Sequence, residues 1–132
     1  MIYWDSSALL SFYAQGRLAE ISGVTRTHTL TEMYGTMTGR GFVPDGGVEP
    51  VRWTGELAAR IVTAIAGRLQ FVDVDSSAVL KALRAAEKRG VRGGRVHDYL
   101  HALAAEKASA DELWTTDKYD FTGLGKVPVK VV

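Results

Sequence analysis

Five short apolar runs, set between longer stretches of helical spacing, constrain the fold of this chain more than any other feature. Residues 2–4 (Ile-Tyr-Trp), 24–27, Phe71 with Val72 and Val74, 112–115 and 127–132 read as strands. Between them, residues 7–13 form a helix, 17–21 a short second one closed by Gly23, and 28–40 a third, in which Leu30, Met33, Tyr34 and Met37 recur at three- and four-residue spacing. Residues 53–69 carry an apolar stripe of Leu57, Ala58, Ile61, Val62, Ile65 and Leu69. Residues 76–89, ended by Gly90, and 96–108 complete the helices. Alternation of this kind predicts an α/β fold, a three-layer αβα sandwich around a doubly wound, mainly parallel sheet with right-handed crossovers. All of residues 1–132 form one domain in this reading, because the loop at 41–50, with its glycines and prolines, separates halves that could not fold alone.

The joint at Asp5 draws the chemistry. An apolar strand turns there into a helix, Ser6 or Ser7 can cap that helix, and the carboxylate is left to face the space beyond the strand end, where open α/β sheets bind ligands. Asp75-Ser76-Ser77-Ala78 repeats the pattern. With a strand order of 3-2-1-4-5, Asp5 and Asp117 face each other at the switch point, while Asp75 lies two strands away, on the order of 10 Å. The expectation is that Asp75 is only a cap and that Asp5 is not.

Glu32 and Asp98 fall in early helix turns, and Asp117 and Asp120 just past the fourth strand, so the fold gathers Asp5, Glu32, Asp98 and Asp117 on one edge. Carboxylates that close repel one another unless a cation stands among them, and oxygen-only ligands select Mg²⁺ or Mn²⁺. Such ions are the usual means of cleaving a phosphodiester. With no cysteine, thiolate zinc sites, disulfides and a thiol nucleophile are excluded. No apolar run approaches a membrane span and no basic head opens the chain, so a cytoplasmic protein that engages no membrane is expected.

Hydrophobic-Asp5-Ser6-Ser7-Ala8, Leu30-Thr31-Glu32-Met33-Tyr34, His97-Asp98 opening an alanine-rich helix, and Leu113-Trp114-Thr115-Thr116-Asp117 followed by Asp120-Phe121 resemble the PIN-domain ribonucleases, above all the VapC-type toxins of toxin–antitoxin pairs. The resemblance runs the whole chain in order. It implies an endoribonuclease with Mg²⁺ or Mn²⁺ as cofactor and Asp5, Glu32, Asp98 and Asp117 as catalytic acids and metal ligands. Asp120 is implied as an additional acidic ligand, and Ser6 and Thr115 as hydroxyls supporting the site. It further implies a homodimer and a small antitoxin that blocks the crevice, for which Leu10, Phe12 and Tyr13 are candidate contacts. The stretch from Gly41 to Trp53 matches no family feature.

Although the formal charge is only +1, Lys81, Arg84, Lys88, Arg89, Arg92 and Arg95 stand against the single acid Glu87. Arg89, Arg92, Arg95 and Lys118 are therefore the candidate RNA-phosphate contacts, and Trp53 the candidate for stacking or a partner surface. Two other readings compete. His97 and His101, at i and i+4, imitate a zinc-hydrolase helix with His28 as a distant third ligand. A receiver-like module that binds Mg²⁺ and phosphate without turnover would instead use Lys118 or Lys126.

Overall fold

A computed structural model describes residues 1–41, 43 and 47–132, with the side chain of residue 118 outside the described residues. Five strands, β1 (Ile2–Trp4), β2 (Gly23–Thr25), β3 (Leu69–Phe71), β4 (Glu112–Thr115) and β5 (Val129–Val131), pair in parallel in the order β3-β2-β1-β4-β5. That is the order that makes β1 and β4 neighbours at the switch point. It differs from the 2-1-3-4-5 order of receiver-like folds.

Successive residues of a strand face opposite sides of the sheet, and β1 uses this fully. Trp4 packs against α1 (Ser6–Ala14), α2 (His28–Thr38) and α3 (Gly55–Ala66), among Leu9, Phe12, Met33, Met37 and Ile65. Tyr3 faces the other layer with Val24, Ala104, Ala105 and Leu113, under α5 (Arg95–Lys107). Beside α5, α4 (Ser76–Ala86) closes a third cluster through Ala82, Ala86, Tyr99 and Leu124. Leu9, Ile65 and Leu113 are fully buried, each contributing about 2 kcal/mol of hydrophobic free energy.

Four expected elements change. Residues 17–21 hold only a 3-10 turn, Leu18–Glu20. The long helix stops at Ala66, so that Leu69, placed by its spacing in the apolar stripe, instead opens β3. The backbone N–H groups of Gly67 and Arg68 bond back to Thr63 and Ile65, and the Arg68 guanidinium donates to the carbonyls of Ala19 and Ile21. That turn brings Leu69 level with Gly23, and the pairing with β2 then ends at Phe71 and the bond from Val72 N–H to Thr25. Val74 lies past the sheet. The last turn of the fourth helix is a separate 3-10 turn, Glu87–Arg89, closed by Gly90 at φ 69°. The loop expected at 41–50 falls partly outside the described residues.

Candidate active site at the ends of β1 and β4

Asp5 follows β1 directly, and its N–H extends the sheet to the Trp114 carbonyl. Its side chain caps α1. Oδ1 accepts from the N–H of Ala8 at 2.8 Å and from Ser7 Oγ at 2.7 Å, and Oδ2 accepts from Thr115 Oγ1 at 2.6 Å. Asp75 caps α4 in the same way, accepting from Ala78 N–H at 2.8 Å. The expectation that only the second Asp-Ser-Ser is a cap is corrected, because the helix start leaves the same free N–H groups in both. What separates them is company. Asp75 is exposed, whereas Asp5 is 6 % exposed and tied to β4. Burial raises the Asp5 carboxyl above its ordinary value, against the bonds from Thr115, Ala8 and Ser7. Ser7 supplies the supporting hydroxyl and also accepts from Thr116 N–H at 3.1 Å, while Ser6 lines the adjoining cleft.

Asp98 stands half-buried in the first turn of α5. Burial, followed by the charges of Asp120, Asp5 and Glu32, pushes its carboxyl up to about 7, with Arg95 opposing. Of the two acids past β4, Asp120 is thus the one felt first at Asp98. Asp117 turns outward to cap the 3-10 turn Lys118–Phe121, its Oδ1 accepting from Tyr119 N–H at 2.9 Å. Its own N–H donates to Thr115 Oγ1 at 3.1 Å, so Asp117 meets Asp5 through Thr115 and not face to face. Asp120 is raised by burial and by Asp117.

Glu32 sits in the second turn of α2, with Oε1 2.7 Å from His101 Nε2 and 3.9 Å from the Arg26 guanidinium. Burial works to raise its carboxyl, but the hydrogen bond from His101, with Arg26 beside it, holds it below the ordinary range. His97 stacks on His28, ring centroids 5.5 Å apart, while His101 points inward. The three histidines therefore do not converge as zinc ligands. Among the described residues no three acidic or histidine side chains already form a cluster that could hold a metal ion.

The expected basic contacts divide. Arg95 donates to the Thr122 carbonyl at 2.7 Å and its charge reaches Asp98 and Asp120. Arg92 pairs with Glu87 in solvent, and Arg89 lies over the Tyr99 ring, lining a groove between α4 and α5. The Lys118 side chain lies outside the described residues. Arg40 was not singled out by sequence. It lines the cleft it shares with Ser6, Glu32 and Thr36, and also a cavity of about 560 Å³ that runs past Ser7, Ser11 and Thr116. Nothing in its local spacing marked it, since it stands at the edge of the loop.

No family model and no curated protein matches the sequence. Among solved structures, the chain is similar to a chain of VapBC-1 from nontypeable Haemophilus influenzae. The match covers 99 % of this chain and 98 % of that one, with a TM-score of 0.63 and 16 % identity. The fold is PIN-like. In this PIN-like frame Asp5 and Thr115 stand at the two central strand ends, and Glu32 and Asp98 reach the same edge from helices on opposite layers. No helix among the described residues is long and apolar enough to cross a membrane.

Proposed function

We propose that this chain is a Mg²⁺- or Mn²⁺-dependent endoribonuclease that hydrolyses RNA phosphodiester bonds, the toxin of a type II toxin–antitoxin pair. The observation that carries the reading is Asp98, whose carboxyl is raised to about 7 by burial and by the acids Asp120, Asp5 and Glu32. A carboxylate destabilised by burial and then by like charges, in an oxygen-only donor set, is the place where a hard divalent cation gains most. Oxygen donors alone suit such an ion, and Asp5, Asp98 and Glu32 would be its principal ligands, with Asp117 and Asp120 directly or through water. When bound, the ion would neutralise phosphate oxygens and lower the pKa of a water, which is the nucleophile that hydrolysis requires.

The chain's own residues do the rest. Ala8 N–H, Ser7 and Thr115 fix both oxygens of Asp5. Arg95, held by Thr122, and Arg40, at the mouth of the cleft, hold RNA phosphates and position the scissile bond beside the acids. Likeness to a chain of a VapBC structure supports a protein antitoxin as partner. A homodimer working in the cytoplasm completes the reading.

The test is cleavage of mixed single-stranded RNA in Mg²⁺, Mn²⁺ or EDTA by the wild-type chain and by Asp98→Asn. Cleavage that requires the metal and disappears in the variant is expected. Equal cleavage by both proteins would overturn the assignment of Asp98.

A further inference from the structure

Beneath the acids lies a polar chain that the proposed hydrolysis does not itself use. His101, 1 % exposed, is one turn beyond Asp98 on α5, its ring set between Tyr3 and Phe121. Nδ1 is 2.8 Å from the Tyr3 hydroxyl and 3.4 Å from Arg26 Nε, and Nε2 is 2.7 Å from Glu32 Oε1. Arg26 is itself buried, with its guanidinium also donating to the His97 carbonyl at 3.3 Å.

The hydrogen-bonding roles follow from the partners. An arginine Nε–H can only donate and an ionised carboxylate can only accept. A neutral His101 satisfies both only as the tautomer with its proton on Nε2, donating to Glu32, and with Nδ1 accepting from Tyr3 O–H. The opposite tautomer would set N–H against N–H at Arg26 and leave Nε2 facing an anion without a proton. A histidine that merely filled the core would need partners, but not these. The ring joins β1 two residues before Asp5, α5 one turn after Asp98 and α2 at Glu32, so a single side chain fixes the spacing of three acids drawn from different layers.

We propose that His101, set as the Nε2–H tautomer by Arg26 and Glu32 and held there by the shorter bond from Tyr3 O–H to Nδ1, is the positioning residue that holds Glu32 for metal binding. Oε1 is committed to His101, and Oε2 has no donor among the described residues and remains for the ion. The inference deepens the metal-dependent reading and rests on it. Partners of this kind, bonded to a ligand and not to the metal, typically change affinity by roughly 10- to 100-fold when removed.

Two measurements on the full chain test it. Histidine-ring ¹⁵N spectra of the metal-free protein should show His101 protonated on Nε2 alone. Free Mn²⁺, followed by electron paramagnetic resonance during titration, should report affinity weakened roughly 10- to 100-fold in His101→Leu, with part of the loss restored in His101→Gln, whose amide can donate to Glu32. Tyr3→Phe keeps the ring and its packing. It should weaken Mn²⁺ binding while a second His101 tautomer appears in the spectra, and it serves if His101→Leu does not fold. A proton on Nδ1 in the wild type overturns the proposal, as does wild-type Mn²⁺ affinity in Tyr3→Phe or His101→Leu while Glu32→Gln binds weakly. Glu32→Gln binding as tightly as wild type, or a wild type that binds no Mn²⁺, would show instead that the metal-dependent reading fails, and the positioning role with it.

Discussion

Thr115 donates its hydroxyl proton to Asp5 Oδ2 at 2.6 Å, joining the ends of the two central strands across the switch point of the sheet. The bond is fully buried on the threonine side, and the receiving carboxylate is nearly so. A buried acceptor that loses its donor suffers the desolvation of the group. Thr115→Val, which keeps the shape and removes the proton, should therefore cost about 1–3 kcal/mol in urea unfolding. The same change lets the acid turn, and cleavage should fall roughly 10- to 100-fold. Unchanged cleavage in a folded Thr115→Val protein would remove Thr115 from the site.

Asp98 makes stability depend on pH. Its carboxyl moves from the ordinary 3.8 up to about 7 in the folded chain. Across that window the native state keeps a proton that the unfolded chain has released, so its contribution is most favourable below the window and is lost as pH rises through it. A shift of this size would be about 4 kcal/mol without screening. Asp98 is only partly buried, and about 1–2 kcal/mol is the expected gain in Asp98→Asn at pH 8 in EDTA. The two proteins should be nearly equal at pH 4. Parallel pH profiles for the pair would contradict this origin of the shift.

Asp120 and Asp117 should separate in a carboxyl titration of Asp98. Removing the charge in Asp120→Asn should bring the Asp98 midpoint down, because Asp120 is the first of the charges raising it. Asp117→Asn should act less on Asp98 and more on the 3-10 turn it caps. Carbon-detected titration of labelled Asp98 reads both, and a larger shift in Asp117→Asn would reverse the assignment.

Asp75→Ala is the matching control for Asp5→Ala. Loss of the α4 cap should cost about 1 kcal/mol and leave RNA cleavage at the wild-type rate. Asp5→Ala should abolish cleavage. If both variants lost activity alike, capping alone would explain Asp5.

Arg40→Ala should weaken RNA binding at low salt and reduce the slope of log K against log salt by about 1, as removal of one phosphate contact does. The same substitution at Arg92, already paired with Glu87 in solvent, should change the slope less. Equal slopes for wild type and Arg40→Ala would take Arg40 out of the RNA path.

Alternation of strand and helix, read from residue spacing alone, determined the αβα layers and a parallel sheet, because periodicity fixes which face of each element is apolar and right-handed crossovers leave few ways to stack them. The same pattern placed Asp5, Glu32, Asp98 and Asp117 at strand ends and early helix turns. Tertiary structure decided what each acid touches. Ser7, and not Ser6, reached Asp5. Asp120, and not Asp117, acted first on Asp98. Leu69 left its helical stripe for a strand because Arg68 found the carbonyls of Ala19 and Ile21, some 47 to 49 residues earlier. Tyr3, Arg26 and His101 carried no sign in the sequence of their common partner, since hydrogen bonds across layers join residues 75 and 98 positions apart and local spacing holds no record of them.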